Sequence, residues 1–315
     1  MGAYALELMV SLMVLAIAGD QFVVGAGRLA RDLNLRPAVV GAVVGGLGAS
    51  VPELIVSAVA SLGRSPQIAV GNLVGSIIAN VSLALAIAAL VAPVLVESRT
   101  VRREAPLSVG GVLLFAVLLP GGLTPAKGLV LMVALALALV ALVANARQGT
   151  PGDELAVEVG RFFDAERSHR RSMEAIRAVI GLTLMLIGAE VLVRSATGLA
   201  QRLGLAQGFI GLTVVAAGTT APLVAIAVQA ARRGNHDLVV GAVLGSNLFI
   251  ALAGGAIVGL LHGASASAVG PAPLFVMAAI ALGAWGFMGR GNVLNRWEAS
   301  VLIVAYMATL PFAAR

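Results

Sequence analysis

The chain contains no cysteine. That excludes disulfides, thiol nucleophiles and thiolate-bound metal. Charge is scarce as well: Asp, Glu, Lys and Arg make up 11% of the 315 residues, where a soluble domain carries roughly 25%. Aromatic residues reach only 4%. The histidines are three, His169, His236 and His262. All fall in predicted loops, without the spacing of a metal pair, and no serine–base pairing accompanies them, so an enzyme is not expected. No run of basic residues marks a nucleic-acid partner. The formal charge of +6 is spread over short loops, and membrane topology accounts for it better. The first residues lack a basic n-region and include Glu7, which reads as a first membrane helix rather than a cleaved signal.

What fills the chain is apolar. Hydrophobic residues are 59% and the mean hydropathy is +1.00, so the lipid bilayer is the expected surrounding. The 38 glycines, with abundant alanine, suit close helix packing in lipid, where small residues let backbones approach. Gly181, Gly188, Gly204 and Gly211 are read as packing positions. A spanning helix needs about 20 apolar residues. Ten spans follow, at 4–27, 37–62, 67–92, 106–122, 125–145, 175–201, 207–231, 238–261, 270–288 and 297–313. Trp285 and Trp297 fall near predicted span ends, where interfacial anchoring is expected.

The basic residues test that count. Of the 21 Lys and Arg, sixteen fall on one side of the ten-span path. Four fall on the other (Arg64, Lys127, Arg202, Arg315), and Arg194 lies within a span. The positive-inside rule then places both termini outside and the 146–174 loop in the cytoplasm, in a plasma (cell inner) membrane. The expected organisation is a five-helix half at 1–145, a polar loop at 146–174 and a second five-helix half at 175–315.

The two halves carry the same segment. GAVVGGLGASVPEL at 41–54 returns as GLTVVAAGTTAPLV at 211–224, and GNLVGS at 71–76 returns as GAVLGS at 241–246. Gly41, Gly48, Pro52, Gly71 and Ser76 recur as Gly211, Gly218, Pro222, Gly241 and Ser246, all at one constant offset with no gap. The repeat segments are 41–80 and 211–250. Five spans separate equivalent positions, an odd number, so the second copy enters from the opposite side. Inverted repeats with Gly/Pro-interrupted helices build midplane sites in membrane transporters, and alternating access follows from their symmetry.

Residues three and four apart share a helix face. Ser50, Glu53 and Ser57 form one polar stripe, and Asn72, Ser76 and Asn80 form another. Lipid cannot satisfy such stripes, so they face each other or water. Pro52 has no N–H to return to the carbonyl of Gly48, and Gly45, Gly46 and Gly48 loosen the turn. A kinked helix with free carbonyls, hydroxyls and one carboxylate is an oxygen cage for a hard cation such as Na⁺ or Ca²⁺. Packing is the alternative reading for Ser50, Ser57 and Ser76, and interhelical hydrogen bonding for Asn72 and Asn80. A mid-span carboxyl such as Glu53 is costly without a partner or a task. In the second copy Gly218, Pro222, Thr213, Thr219, Thr220, Ser246 and Asn247 supply neutral oxygens, but Leu223 stands at the position of Glu53 and Ile250 at that of Asn80. Asp20 and Glu190 are equivalent too. They are read as structural, Glu190 pairing with Arg194 one turn on, the alternative being carboxyls that flank the cage as proton or ion groups.

At these residues the chain resembles the calcium/cation antiporter superfamily, the sodium/calcium exchangers and their prokaryotic relatives. GASVPE at 48–53, GNLVGSIIAN at 71–80, GTTAPL at 218–223 and GAVLGSN at 241–247 carry the resemblance, which covers essentially the whole chain. It implies an all-α membrane protein of ten helices in two inverted five-helix repeats. It also implies a secondary antiporter exchanging Ca²⁺ or another cation against Na⁺ or H⁺, with no resident cofactor. As ion ligands it implies Ser50, Glu53, Ser76 and Asn80 from the first repeat and Thr219, Thr220 and Ser246 from the second. The family's second acidic ligand is replaced by Leu223, and a further acidic or amide position by Ile250. One carboxylate balances Na⁺, K⁺ or H⁺ better than Ca²⁺, and it can hold a proton in place of a metal. A monovalent cation/proton antiporter and a transport-dead scaffold or sensor are the alternatives. Oligomeric state is not legible.

Overall fold

The computed structural model describes residues 2–32, 48–63, 65–96, 100–147, 171–262 and 269–313. Gly45, Gly46, His169 and most of the 146–174 loop lie outside the described residues. Among those described, the helices form ten segments in the predicted order. Helix α1 is Gly2–Asp32, α2 Val51–Leu62, α3 Pro66–Val91, α4 Ala105–Leu118 and α5 Pro125–Arg147. Then come α6 Arg171–Leu203, α7 Gln207–Arg232, α8 His236–Leu261, α9 Pro271–Gly291 and α10 Arg296–Ala313. Seven of these are long and apolar enough to cross a membrane: α1, α3, α5, α6, α7, α8 and α9. Helices α3 and α8 start and end at matching positions of the two repeats. Each contains a π turn, Asn80–Leu85 in α3 and Ile250–Gly254 in α8, and these too begin at matching positions.

The first helices of the two halves settle the relative orientation. Glu7 accepts from Ser195 Oγ at 2.6 Å near one end of α1, and Arg28 Nη1 donates to Glu174 at 2.8 Å near the other. As one number rises the other falls, so α1 and α6 are antiparallel and the repeats are inverted. Close approach is built into the pair: a Cβ on Gly25 would lie 2.8 Å from Ala178 N, and one on Gly181 2.7 Å from Phe22 N. Gly188 and Gly211 also face neighbouring helices closely. Gly204 differs from its predicted packing role. It has φ +65° and nothing within 4 Å of a built Cβ, so it serves as the left-handed stop after α6. Arg28 and Glu174 are mostly shielded, with side chains 13% and 5% exposed. Glu174→Gln removes the carboxylate that Arg28 and, at 3.9 Å, Arg177 share, and should cost on the order of 2 kcal/mol, read as a lowered melting midpoint of the purified protein.

A second feature checks the parity of the path. Strand β1 (Val94–Leu95) follows α3 and strand β2 (Val293–Leu294) precedes α10. They pair antiparallel, Val94 opposite Leu294 and Leu95 opposite Val293. In an alternating ten-span path, the end of the third span and the start of the tenth share a side. Asn292 takes the left-handed conformation, φ 56°, and its carbonyl receives Val96 N at 2.7 Å.

Other expectations are corrected here. His236 opens α8 and His262 closes the helical stretch that ends it, so neither is a loop residue. Trp285 sits well inside α9 and donates from Nε1 to Val101 O at 2.9 Å; its role is a tie to the segment before α4. Trp297, 76% exposed at the start of α10, keeps the predicted position. The Glu190–Arg194 pair forms at 3.2 Å.

Candidate functional site

Helices α2, α3, α7 and α8 meet in the interior and bring the polar stripes together. Helix α2 begins at the proline motif itself. Ala49 and Ser50 form a turn and the helix starts at Val51, with Pro52 in its first turn. A proline costs no hydrogen bond there, because first-turn amides lack helical partners anyway. Glu53 follows in the same first turn, where the helix dipole favours negative charge. In the second repeat the equivalent Pro222 lies inside the continuous run Ala216–Arg232, and it has no N–H to give the carbonyl of Gly218. Helix α1 crosses both glycines: a Cβ on Gly48 would meet Val23 at 3.0 Å, and one on Gly218 would meet Leu12 at 2.4 Å.

Ser50, Glu53, Ser57, Asn72, Ser76, Asn80 and Thr220 are fully buried, and Thr219, Ser246 and Asn247 at most 3% exposed. Their hydrogen bonds divide them into two groups. Asn72 is a tie among three helices. Its Nδ2 donates to Glu53 O at 3.3 Å and Ser57 Oγ at 3.2 Å, and its Oδ1 accepts from Thr219 Oγ1 at 3.3 Å. Ser76 Oγ lies 3.5 Å from Thr219 Oγ1. On the other side Ser50 Oγ donates to Ser246 Oγ at 2.8 Å. Asn80 Nδ2 donates to Ser246 Oγ at 3.0 Å and to Asn247 Oδ1 at 2.9 Å.

What remains is a set of oxygens. Glu53 Oε1 and Oε2, Asn80 Oδ1 and Thr220 Oγ1 are buried and receive no hydrogen bond. Unmatched buried polar atoms cost free energy, and these four come from three helices and both repeats. With Glu53 ionised three can only accept, and the fourth, a hydroxyl oxygen, accepts as well, which is the chemistry that coordinates a hard cation. Leu223 and Ile250, 2% and 0% exposed, fill the symmetry-equivalent positions with hydrocarbon. The sequence stripes anticipated the burial of these residues. They did not anticipate the crossed bonds of Asn247, since its partner lies on another helix 167 residues away.

Inverted five-helix halves joined around a buried oxygen-lined centre define a membrane transporter. The profile of the sodium/calcium exchanger proteins matches the chain twice, over residues 4–144 and 174–314. The chain therefore belongs to the sodium/calcium exchanger family. It is 33% identical over 306 residues to CaxA of Alkalimonas amylolytica, which carries an antiporter name, covering 95% of each chain. It is 28% identical over 345 aligned positions to the sodium/calcium exchanger MaX1 of Methanosarcina acetivorans, covering 97% of each. Its fold superposes on the sodium-calcium exchanger NCX_Mj, solved after soaking with 2.5 mM Na⁺ and 10 mM Sr²⁺. The TM-score is 0.66 at 27% identity, over 98% of both chains. The protein is a membrane-embedded antiporter for inorganic cations, of the sodium/calcium exchanger type.

Proposed function

We propose that cations are exchanged one at a time through a single site whose only charged ligand is Glu53. Asn80, Thr220, Ser50, Ser76, Thr219, Ser246 and the carbonyls of Gly48 and Gly218 complete it. The observation that carries this reading is that Glu53 is the one carboxylate among the described residues of the site: both its oxygens are buried without hydrogen bonds, and the position that symmetry pairs with it is Leu223. Na⁺ or H⁺ on Glu53 leaves the site neutral. Ca²⁺ leaves it with a net positive charge and is held less tightly than by two carboxylates. Na⁺, Ca²⁺ and H⁺ thus compete for one group, and a gradient of one drives the others in the opposite direction. The two halves at 1–145 and 175–315 rearrange about this site. The distribution of sixteen basic residues against four argues for both termini outside and the 146–174 loop in the cytoplasm of a cell with this plasma membrane.

Proteoliposomes test the exchange. Purified protein is reconstituted with a Ca²⁺ indicator and a pH indicator inside, and Na⁺, K⁺ or Ca²⁺ gradients are imposed. A Na⁺ gradient should move Ca²⁺ or H⁺ the other way, and no coupled movement among these ions would refute the proposal. Leu223→Glu adds the second carboxylate. It should raise apparent Ca²⁺ affinity at least about tenfold, as expected for an added close opposite charge. An unchanged Ca²⁺ affinity would show that Leu223 does not border the site.

A further inference from the structure

Asn247 makes two bonds that fix which way a neighbouring amide faces. Its Nδ2 donates to the backbone carbonyl of Ile77 at 3.4 Å, and its Oδ1 receives Asn80 Nδ2 at 2.9 Å. A backbone carbonyl can only accept. The Asn247 atom facing Ile77 is therefore the nitrogen, and the one facing Asn80 is the oxygen. An amide oxygen in turn can only accept, so Asn80 must present its NH₂. The second Asn80 hydrogen goes to Ser246 Oγ at 3.0 Å. Both hydrogens are thus committed to α8. Asn80 Oδ1 is turned away from α8, buried and without a donor.

With its amide turned over, Asn80 would direct a positively polarised NH₂ where its oxygen now lies, and a cation would be repelled. We propose that Asn247 is a positioning residue that locks the amide of Asn80 with its oxygen toward the transported cation. The inference rests on the site proposed above and adds to it the device that sets the polarity of its one neutral amide ligand. The device occurs once. The pseudo-twofold carries Asn80 to Ile250 and Asn247 to Ile77, so the second repeat aims a ligand that only the first supplies.

The test compares two backgrounds. Na⁺ and Ca²⁺ are titrated separately against the melting midpoint of the purified full chain, and KM and maximal rate are measured in proteoliposomes. In the native background, Asn247→Ala should weaken cation affinity and raise KM by about tenfold, the usual scale for losing a bond to a charged partner. The maximal rate should stay within about twofold. In an Asn80→Asp background both terminal atoms are oxygens, orientation no longer matters, and Asn247→Ala should raise KM no further. Asn247→Ser, too short to reach both partners, should behave as Asn247→Ala and guards against a folding defect. Equal penalties in both backgrounds mean Asn247 only packs, and no penalty in the native background means it orients nothing; either overturns the inference while leaving the Glu53 site standing. A wild-type protein that responds to neither cation overturns both.

Discussion

Glu53→Gln should abolish coupled ion exchange in proteoliposomes, lowering the rate at least about a hundredfold, while the protein still purifies as a folded species. The substitution keeps shape and volume and removes one negative charge. A cation entering a buried site of neutral oxygens lacks the counter-charge that offsets its lost hydration, a deficit of several kcal/mol. A deficit of about 1.4 kcal/mol is already tenfold in affinity. One of the two free carboxylate oxygens also becomes an NH₂, which turns an acceptor into a donor. The side chain is buried, neither carboxylate oxygen makes a full hydrogen bond, and an amide of the same shape can keep the neighbouring Thr219 hydroxyl in place. Gradient-driven Ca²⁺ and H⁺ fluxes measure the effect, and size exclusion with a melting curve checks the fold. A variant that exchanges ions normally would mean that the carboxylate is not the shared ligand.

Gly75→Ala should be strongly damaging, its Cβ making the closest approach to backbone among the described glycines. A Cβ at Gly75 would lie 2.2 Å from the carbonyl oxygen of Leu212 and 2.6 Å from Ala216 Cβ. The first obstacle is backbone, which cannot rotate aside, so α3 and α7 must separate. Those helices carry Asn72, Ser76, Thr219 and Thr220, and separation breaks the ties that align them. A cost of about 3 kcal/mol or more is expected for such overpacking. Gly283 is the control, because in α9 nothing lies within 4 Å of its built Cβ. Gly283→Ala should be neutral or slightly stabilising through helix propensity. Melting midpoints of the two variants in one detergent make the comparison, and a Gly75→Ala protein as stable as the native chain would contradict the packing described.

The helices, their order and the inverted relation of the halves were legible because hydropathy and a gap-free offset act over long stretches. The buried stripes were legible because four-residue spacing places Asn72, Ser76 and Asn80 on one face whatever the tertiary arrangement. Three things were not. Pro52 indicated a loosened helix, but a proline is compatible with a kink or a first-turn position, and only the packing of α1 and α3 around it decides between them; Pro222 with the same motif stays inside a helix. Strands β1 and β2 are two residues each, too short to show alternation. The bonds of Asn247 depend on the rotation of α8 against α3, which no local pattern encodes. Ser246 and Asn247 are adjacent, so they point about 100° apart round the helix, yet both reach Asn80.

The π turns bear on history. Such a turn accommodates one surplus residue in a helix while the flanking turns keep their hydrogen bonding. The surplus begins at Asn80 in one half and at Ile250 in the other, at equivalent places. Two independent insertions at the same site are a poor explanation. A single origin, in a half-length segment duplicated with its extra residue in place, accounts for both turns and agrees with the gap-free offset of the repeats. Residues such as Leu223 and Ile250 record the later divergence of two halves that no longer had to be identical.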